Sequence, residues 1–235
     1  MTRAKDISKI VTDADLSGTL DVTGTVTAGA VAVEGASGAQ ITITDNSPST
    51  VSLYMGAGNS SVSIGSTTSD PLTFLTANTE RMRIDSSGHV TMPYQSAFLA
   101  RCGSGDNDNI PINAGTTISF TTEVFDQNSD FNLSTNVFTA PVTGKYQLNM
   151  SLVLGNGDTA TDYIQAEIQA SNRSFYWIID PDNWDQDGTY FTATTVGLMD
   201  MDANDTAKIV VYMSNTGAAQ MDTLNYCYFS GYLVA

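Results

Sequence analysis

The chain has 235 residues, of which 41% are hydrophobic and only 14% charged, with a formal net charge of −16. That length suits one large or two small domains, and so negative a balance excludes nucleic acid and anionic membranes as partners, since both require clustered Lys and Arg. Gly, Ser, Thr, Asn and Asp fill much of the remainder, a mixture that favours strands and turns over helices. The charge is uneven: residues 1–95 hold 5 basic and 9 acidic residues, residues 96–235 hold 4 and 16. No stretch approaches the ~20 apolar residues of a membrane span. The opening MTRAKDISKIV lacks the apolar core of a signal peptide, so synthesis and assembly in a cytoplasm are expected, with no membrane insertion.

In residues 1–14, Ala4, Ile7, Ile10 and Val11 share the spacing of one short amphipathic helix, on which Arg3, Lys5 and Lys9 are the only basic residues. The segment reads either as a frayed terminus or as an anchor onto a larger assembly, with Arg3, Ile7 and Ile10 in the contact. From Leu16 a six-residue repeat follows, Leu16-Ser-Gly18-Thr-Leu20-Asp and then Val22-Thr-Gly24-Thr-Val26-Thr. Apolar residues return at every second position, which is strand periodicity. Two repeats are too few for a free-standing solenoid, so pairing with other chains is the expected way to bury them. The same style continues to residue 94. Ile41 and Ile43, then Val51, Leu53 and Met55, then Val62 and Ile64 alternate with polar residues between Gly-, Asn- and Ser-rich turns. Met82, Ile84, Val90 and Met92 alternate around Ser86-Ser-Gly88, which predicts a hairpin.

That hairpin segment, from Thr79-Glu-Arg-Met-Arg-Ile84 through Gly88 to Val90, resembles a motif of phage tail-fibre and other virion-fibre proteins, where it joins shaft to head. The resemblance implies a virion component with a trimeric β-rich shaft over 15–95, attached to other virion proteins through residues 1–14.

Residues 96–235 predict an all-β sandwich. The clearest strand puts Tyr146, Leu148, Met150, Leu152 and Leu154 on one face, and Gln147, Asn149 and Ser151 on the other. Ile164–Ala170 alternates as cleanly. Further strands are expected near 97–102, 117–125, 136–140, 174–179, 190–200, 206–214 and 226–234. Two of them are apolar on both faces. Ala207, Ile209, Val211 and Met213 alternate with Lys208, Val210 and Tyr212; Tyr226, Tyr228 and Tyr232 alternate with Cys227, Phe229 and Leu233. A sandwich strand needs one apolar face, so the second predicts a subunit interface built on Tyr212, Tyr226, Tyr228 and Tyr232.

These residues are similar to the C1q family, with its TNF-like jelly roll. Ala97-Phe98 opens the region. Phe138-Thr-Ala-Pro141-Val-Thr-Gly144-Lys-Tyr146 follows the family pattern F-x-A-P-x-x-G-x-Y, preceded by Phe125-Asp126 and Phe131, and Phe229-Ser-Gly231-Tyr-Leu233 closes it. Asp202-Ala-Asn-Asp205 stands where the family has a Gly-Asp turn and lacks the glycine. The resemblance implies a jelly-roll head packed as a homotrimer, with its first and last strands side by side, so that Cys102 and Cys227 are neighbours, kept reduced during cytoplasmic assembly.

Little chemistry is available. His89 is the only histidine, so no Ser-His-Asp or Cys-His set can form away from its hairpin. Asp180-Pro-Asp182-Asn-Trp184-Asp185-Gln-Asp187-Gly188 suggests a calcium loop, but its twelfth position, counted from Asn183, is Thr194 instead of the required glutamate. Calcium held by Asp180, Asp185 and Asp187 and a solvated acidic loop both stay open. Aromatic and acidic side chains together suit sugars, and Trp184, Asp182, Asp185, Asp187, Tyr190 and Tyr176 are the candidate ligand-binding residues. The expected protein is a non-enzymatic homotrimeric virion fibre whose head binds a host-surface glycan or protein. The alternative is a capsid-surface head fibre or decoration protein that stabilises the shell or adheres loosely to surfaces.

Overall fold

The computed structural model describes residues 39–45, 51–57, 60–105, 107–215 and 218–235. The expected N-terminal helix with Arg3, Ile7 and Ile10, and the repeat over 16–27, lie outside the described residues. The chain falls into two compact units, Met1–Leu72 and Thr73–Ala235.

In the first unit, β1 (Ala39–Asp45), β2 (Val51–Ala57) and β3 (Val62–Ser66) form an antiparallel sheet in chain order. Register aligns Ile41 with Met55 and Met55 with Ile64, and Ala57 with Val62. Because paired residues and every second residue share a side, one face carries Ile41, Ile43, Val51, Met55, Val62 and Ile64, all exposed.

The second unit begins with β4 (Leu72–Thr76), β5 (Thr79–Ile84) and β6 (Val90–Thr91), and the last two make the expected hairpin. Asp85 builds the turn: its Oδ1 accepts the amides of Ser87 (2.8 Å) and His89 (2.9 Å), while Gly88 takes a φ of +88°, where glycine carries no steric cost.

The head follows as β7 (Ala97–Arg101), β8 (Thr116–Thr117), β9 (Thr122–Asp126), β10 (Phe131–Asn132), β11 (Val137–Thr139), β12 (Gly144–Gly157), β13 (Ile164–Ala170), β14 (Ser174–Ile179), β15 (Gly188–Met201), β16 (Thr206–Met213), β17 (Asp222–Thr223) and β18 (Tyr228–Leu233). One six-stranded sheet has the order β15-β12-β18-β7-β9, with β17 beside β12. The other has the order β10-β11-β16-β13-β14, with β8 beside β16. Together they make an all-β jelly roll whose only described helical element is the single 3₁₀ turn Pro181–Asn183. Tyr146, Leu148, Met150, Leu152 and Leu154 line the inner face of β12 and are fully buried. Across from them, Ile164, Ala166 and Ile168 of β13 and Ile209, Val211 and Met213 of β16 close the core.

One expected strand divides. Between β8 and β9 the chain leaves the ladder, and side chains replace the missing strand partner: Asn107 Oδ1 accepts the amide of Ser119 and Asn136 Oδ1 that of Phe120, each at 2.7 Å. This frees Ile118 and Phe120 to turn into the core, where both are buried.

The family motif has a physical reading in this fold. Phe138 and Ala140 are buried, and the buried Tyr146 donates its hydroxyl to the Val142 carbonyl (2.7 Å), pinning the corner between β11 and β12. Gly144 has no room for a side chain, since a Cβ there would lie 2.7 Å from both Ala235 O and Leu233 Cδ1. In the turn over 202–205, Asn204 takes the positive φ (+74°) that the absent glycine would have supplied.

At the strand-entry end, Asp126 accepts the amides of Asp130 and Phe131 (3.0 and 2.8 Å). Burial raises the Asp130 carboxyl above the ordinary carboxylate value; the Ser96 hydroxyl opposes the rise and the Asp126 charge adds to it. The folded protein therefore holds this proton more tightly than the unfolded chain. That stabilisation is complete below the unfolded value of about 3.9 and is lost as pH rises through the higher folded value. The expected result is that wild type loses stability relative to Asp130→Asn as pH climbs through this window. Parallel denaturation midpoints for the two proteins would overturn the assignment.

Candidate binding interface

The outer face of the β15-β12-β18-β7-β9 sheet carries several exposed apolar side chains. Register sets its rows: Leu198, Gln147, Tyr232 and Ala97 run across it, then Val196, Asn149, Ser230, Leu99 and Phe125. The margins are apolar and exposed, with Val196 at 57%, Leu198 at 53% and Phe125 at 49% of full accessibility, and Tyr232 on the central strand is exposed as well. The centre is polar but internally satisfied. Gln147 Nε2 donates to Asn149 Oδ1 (3.2 Å), Asn149 Nδ2 to Ser230 Oγ (3.3 Å), and the Tyr232 hydroxyl to Gln147 Oε1 (3.1 Å). Covering this face therefore strands few polar groups, the condition for a stable interface.

Tyr228 and Tyr232 lie on this face, and Tyr226 is exposed in the turn before β18. Tyr212 does not join them. It belongs to β16 in the opposite sheet, is half-buried and stacks on Tyr163 with ring centroids 5.8 Å apart. The second apolar face of β16 is thus largely covered within the chain, with Val210 buried as well. Sequence reasoning missed Val196, Leu198 and Phe125. β15 carried the signal, since Ala193, Met199 and Met201 point inward while Val196 and Leu198, at alternate positions, are apolar too.

The six candidate ligand residues do not converge. Tyr190 lies on the outer face of β15, beside the interface just described, whereas Tyr176 lies on the outer face of β14, on the opposite side of the sandwich. Trp184 is half-buried and packs edge-on against Phe191 (5.5 Å), its ring filling the space over Gly157 and Gly188. Both glycines are required there, because a Cβ on either would come within 2.9 Å of the indole. Trp184 is thus a packing residue of the loop. Trp184→Ala is expected to cost about 1–3 kcal/mol, read as a lower denaturation midpoint. An unchanged midpoint would return the indole to the surface. Asp182 and Asp185 remain exposed on the loop.

Calcium at Asp180, Asp185 and Asp187 finds no matching geometry, since among the described residues no three Asp, Glu, His or Cys side chains gather as metal ligands would. Asp187 is engaged otherwise: its Oδ1 accepts the Thr159 amide (2.9 Å) and hydroxyl (2.8 Å), which hold its carboxyl below the usual range. His89 is likewise accounted for, its Nδ1 lying 3.0 Å from Asp85 Oδ2 on an exposed turn. The two cysteines are neighbours, with the Cys102 amide donating to the Cys227 carbonyl at 3.1 Å.

Among the described residues no helix is long and apolar enough to cross a membrane. The head is similar in structure to the globular domain of zebrafish complement 1qA protein, at 17% identity over 60% of this chain and 98% of that one, with a TM-score of 0.46. It is similar also to murine APRIL at pH 8.0 (11% identity, 60% and 99% covered, TM-score 0.42) and to the Eiger TNF from S. frugiperda (8% identity, 60% and 93% covered, TM-score 0.45). No curated protein matches the chain significantly. In sequence, residues 97–234 match the C1q domain, and on that match, which spans more than half of its length, the chain belongs to the C1q domain family.

Proposed function

We propose that the protein is a homotrimeric, non-catalytic attachment protein of a virion, with residues 15–95 as a fibre shaft and residues 96–235 as the head. The observation that carries this reading is the apolar outer face of the β15-β12-β18-β7-β9 sheet. A single subunit would leave Val196, Leu198, Phe125, Tyr228 and Tyr232 wet around an internally satisfied polar centre, and exposed apolar side chains gathered on one face mark an association site. The uncovered face of the β1–β3 sheet adds the same requirement in the first unit, as strands too thin to bury a side alone would need. The virion context rests on the fibre motif at 79–90.

Chain direction supplies the polarity. Leu233 donates its amide to Ser96 O (3.0 Å) and Lys145 to Ala235 O (2.6 Å), so the chain enters the head at the Gly144 end of β12. The loops at 155–163 and 180–188 lie at the Gly157 end, about 45 Å away along a 14-residue strand. Such an acidic tip, with Asp182 and Asp185 exposed, is the part free to meet a host glycan or a basic protein surface. Sedimentation equilibrium of the full chain is the test, with three times the 25.0 kDa chain mass expected. A compact monomer at micromolar concentration overturns the trimer. A labelled antibody that decorates no part of a purified particle overturns the virion assignment.

A further inference from the structure

Beneath the tip lies a buried thiol pair that the proposed attachment role does not use. The β7–β18 ladder pairs Phe229 with Ala100 and Tyr228 with Arg101, and one step further Cys227 faces Cys102. Both side chains point inward, 0% and 3% exposed. Opposed residues of antiparallel strands have Cα atoms about 4.5–5.5 Å apart, inside the roughly 4.4–6.8 Å span of disulfides. The surroundings favour reaction at Cys227. Its sulfur accepts the Val153 amide (3.2 Å), and the neighbouring Cys102 thiol, foremost among several hydrogen-bonding groups, holds the Cys227 thiol below its ordinary value. A lid then closes over the pair. Asn107 Nδ2 donates to Thr223 Oγ1 (2.9 Å) and to Ser119 O (3.1 Å), and the Ile110 amide donates to Met221 O (2.8 Å).

We infer that Cys102 and Cys227 form a latent cross-strand disulfide whose state is set while the head folds and is then sealed by the 107–110 and 221–226 segments. The oxidant is a small-molecule disulfide such as oxidised glutathione. The Cys227 thiolate attacks one of its sulfurs, forming a mixed disulfide and releasing one glutathione thiolate. The Cys102 thiolate then attacks Cys227 Sγ and displaces the second. Two protein thiols are oxidised, the glutathione disulfide is reduced, and the two protons of the protein thiols end on the two glutathione thiols that form. In the folded head neither sulfur can reach so bulky a reagent, so exchange needs the lid open.

The test is cell-free synthesis of the full chain in oxidised and in reduced glutathione buffers, followed by purification of the folded fraction. In the oxidised product, denatured protein is expected to take up no alkylating reagent, and peptide mapping to find Cys102 joined to Cys227 within one chain. The reduced product, once folded, is expected to keep both thiols during an equal incubation with oxidised glutathione. The linked form should melt roughly 10 °C higher, because the bridge closes a very long loop, and Cys227→Ala should abolish the difference between buffers. Two alkylatable thiols, glutathione adducts, interchain links or no folded fraction in the oxidised synthesis would each overturn the inference. Equally fast linkage in the pre-folded protein would overturn the seal. The map is made on wild type, so the result stands even where a variant fails to fold.

Discussion

Replacing Val196 and Leu198 together by arginine is expected to turn the proposed trimer into monomers without unfolding the head. The two side chains occupy adjacent outward positions on β15, and their inward neighbours, Ala193, Met199 and Met201, are untouched by the change. In the free subunit both arginines stand in water at almost no cost. In a packed interface each would be stripped of water beside Tyr232 and the satisfied Gln147-Asn149-Ser230 row, and the outward carboxylate two residues beyond Leu198, Asp200, is already paired with Arg173. An uncompensated buried charge costs about 3–5 kcal/mol, so the pair lowers association by at least about a hundredfold. Sedimentation velocity should then show one slow species with an unchanged circular dichroism spectrum. The control is Tyr176→Arg with Ile178→Arg on the opposite outer face, where both residues are exposed; that protein should stay trimeric. Loss of the trimer in the control and its persistence in the first variant would move the interface to the other sheet.

The contrast between those two faces marks how far the sequence could be read. Strand periodicity located β12 and β13 well, because inward residues such as Leu148, Met150, Ile164 and Ile168 obey strict alternation and the core rewards it. It failed where a side chain, not a strand, supplies the hydrogen-bond partner. Asn107 and Asn136 take up the Ser119 and Phe120 amides from 12 and 16 residues away, and no local pattern announces that. The candidate site suffered from the same blindness to distance. Trp184, Tyr176 and Tyr190 are close in sequence, yet a loop and two sheets separate the outward tyrosines. Alternation assigns a residue to a face, but only the pairing of sheets tells which face of which sheet. Tyr212 was grouped with Tyr226, Tyr228 and Tyr232 for that reason. Asn204 is the converse case: the motif lost its glycine, and asparagine, which tolerates positive φ better than most residues, kept the turn.

Phe98→Ala is expected to produce the greatest loss of stability of any single change in the head. The ring is 1% exposed and stacks on Phe131 (5.1 Å between centroids) and Phe138 (4.9 Å), with Phe229 edge-on at 5.0 Å. These partners come from β10, β11 and β18, so one side chain joins both sheets at the point where the chain enters the head. Removing it forfeits the transfer energy of the ring and leaves a cavity that three rigid neighbours cannot collapse into, about 3–5 kcal/mol. Phe98→Leu keeps most of the volume and should cost clearly less. Gly231→Ala attacks the same cluster by overfilling it, since a Cβ would meet Leu148 Cδ2 and lie 2.9 Å from Phe98 Cε1. Urea denaturation of the three variants should rank them with Phe98→Ala lowest and Phe98→Leu nearest wild type. Because β7 also presents Ala97 and Leu99 to the outer face, Phe98→Ala should weaken trimer formation as well, although it touches no partner. A variant that lost core stability while associating as tightly as wild type would show that the interface does not rest on the rigidity of this strand.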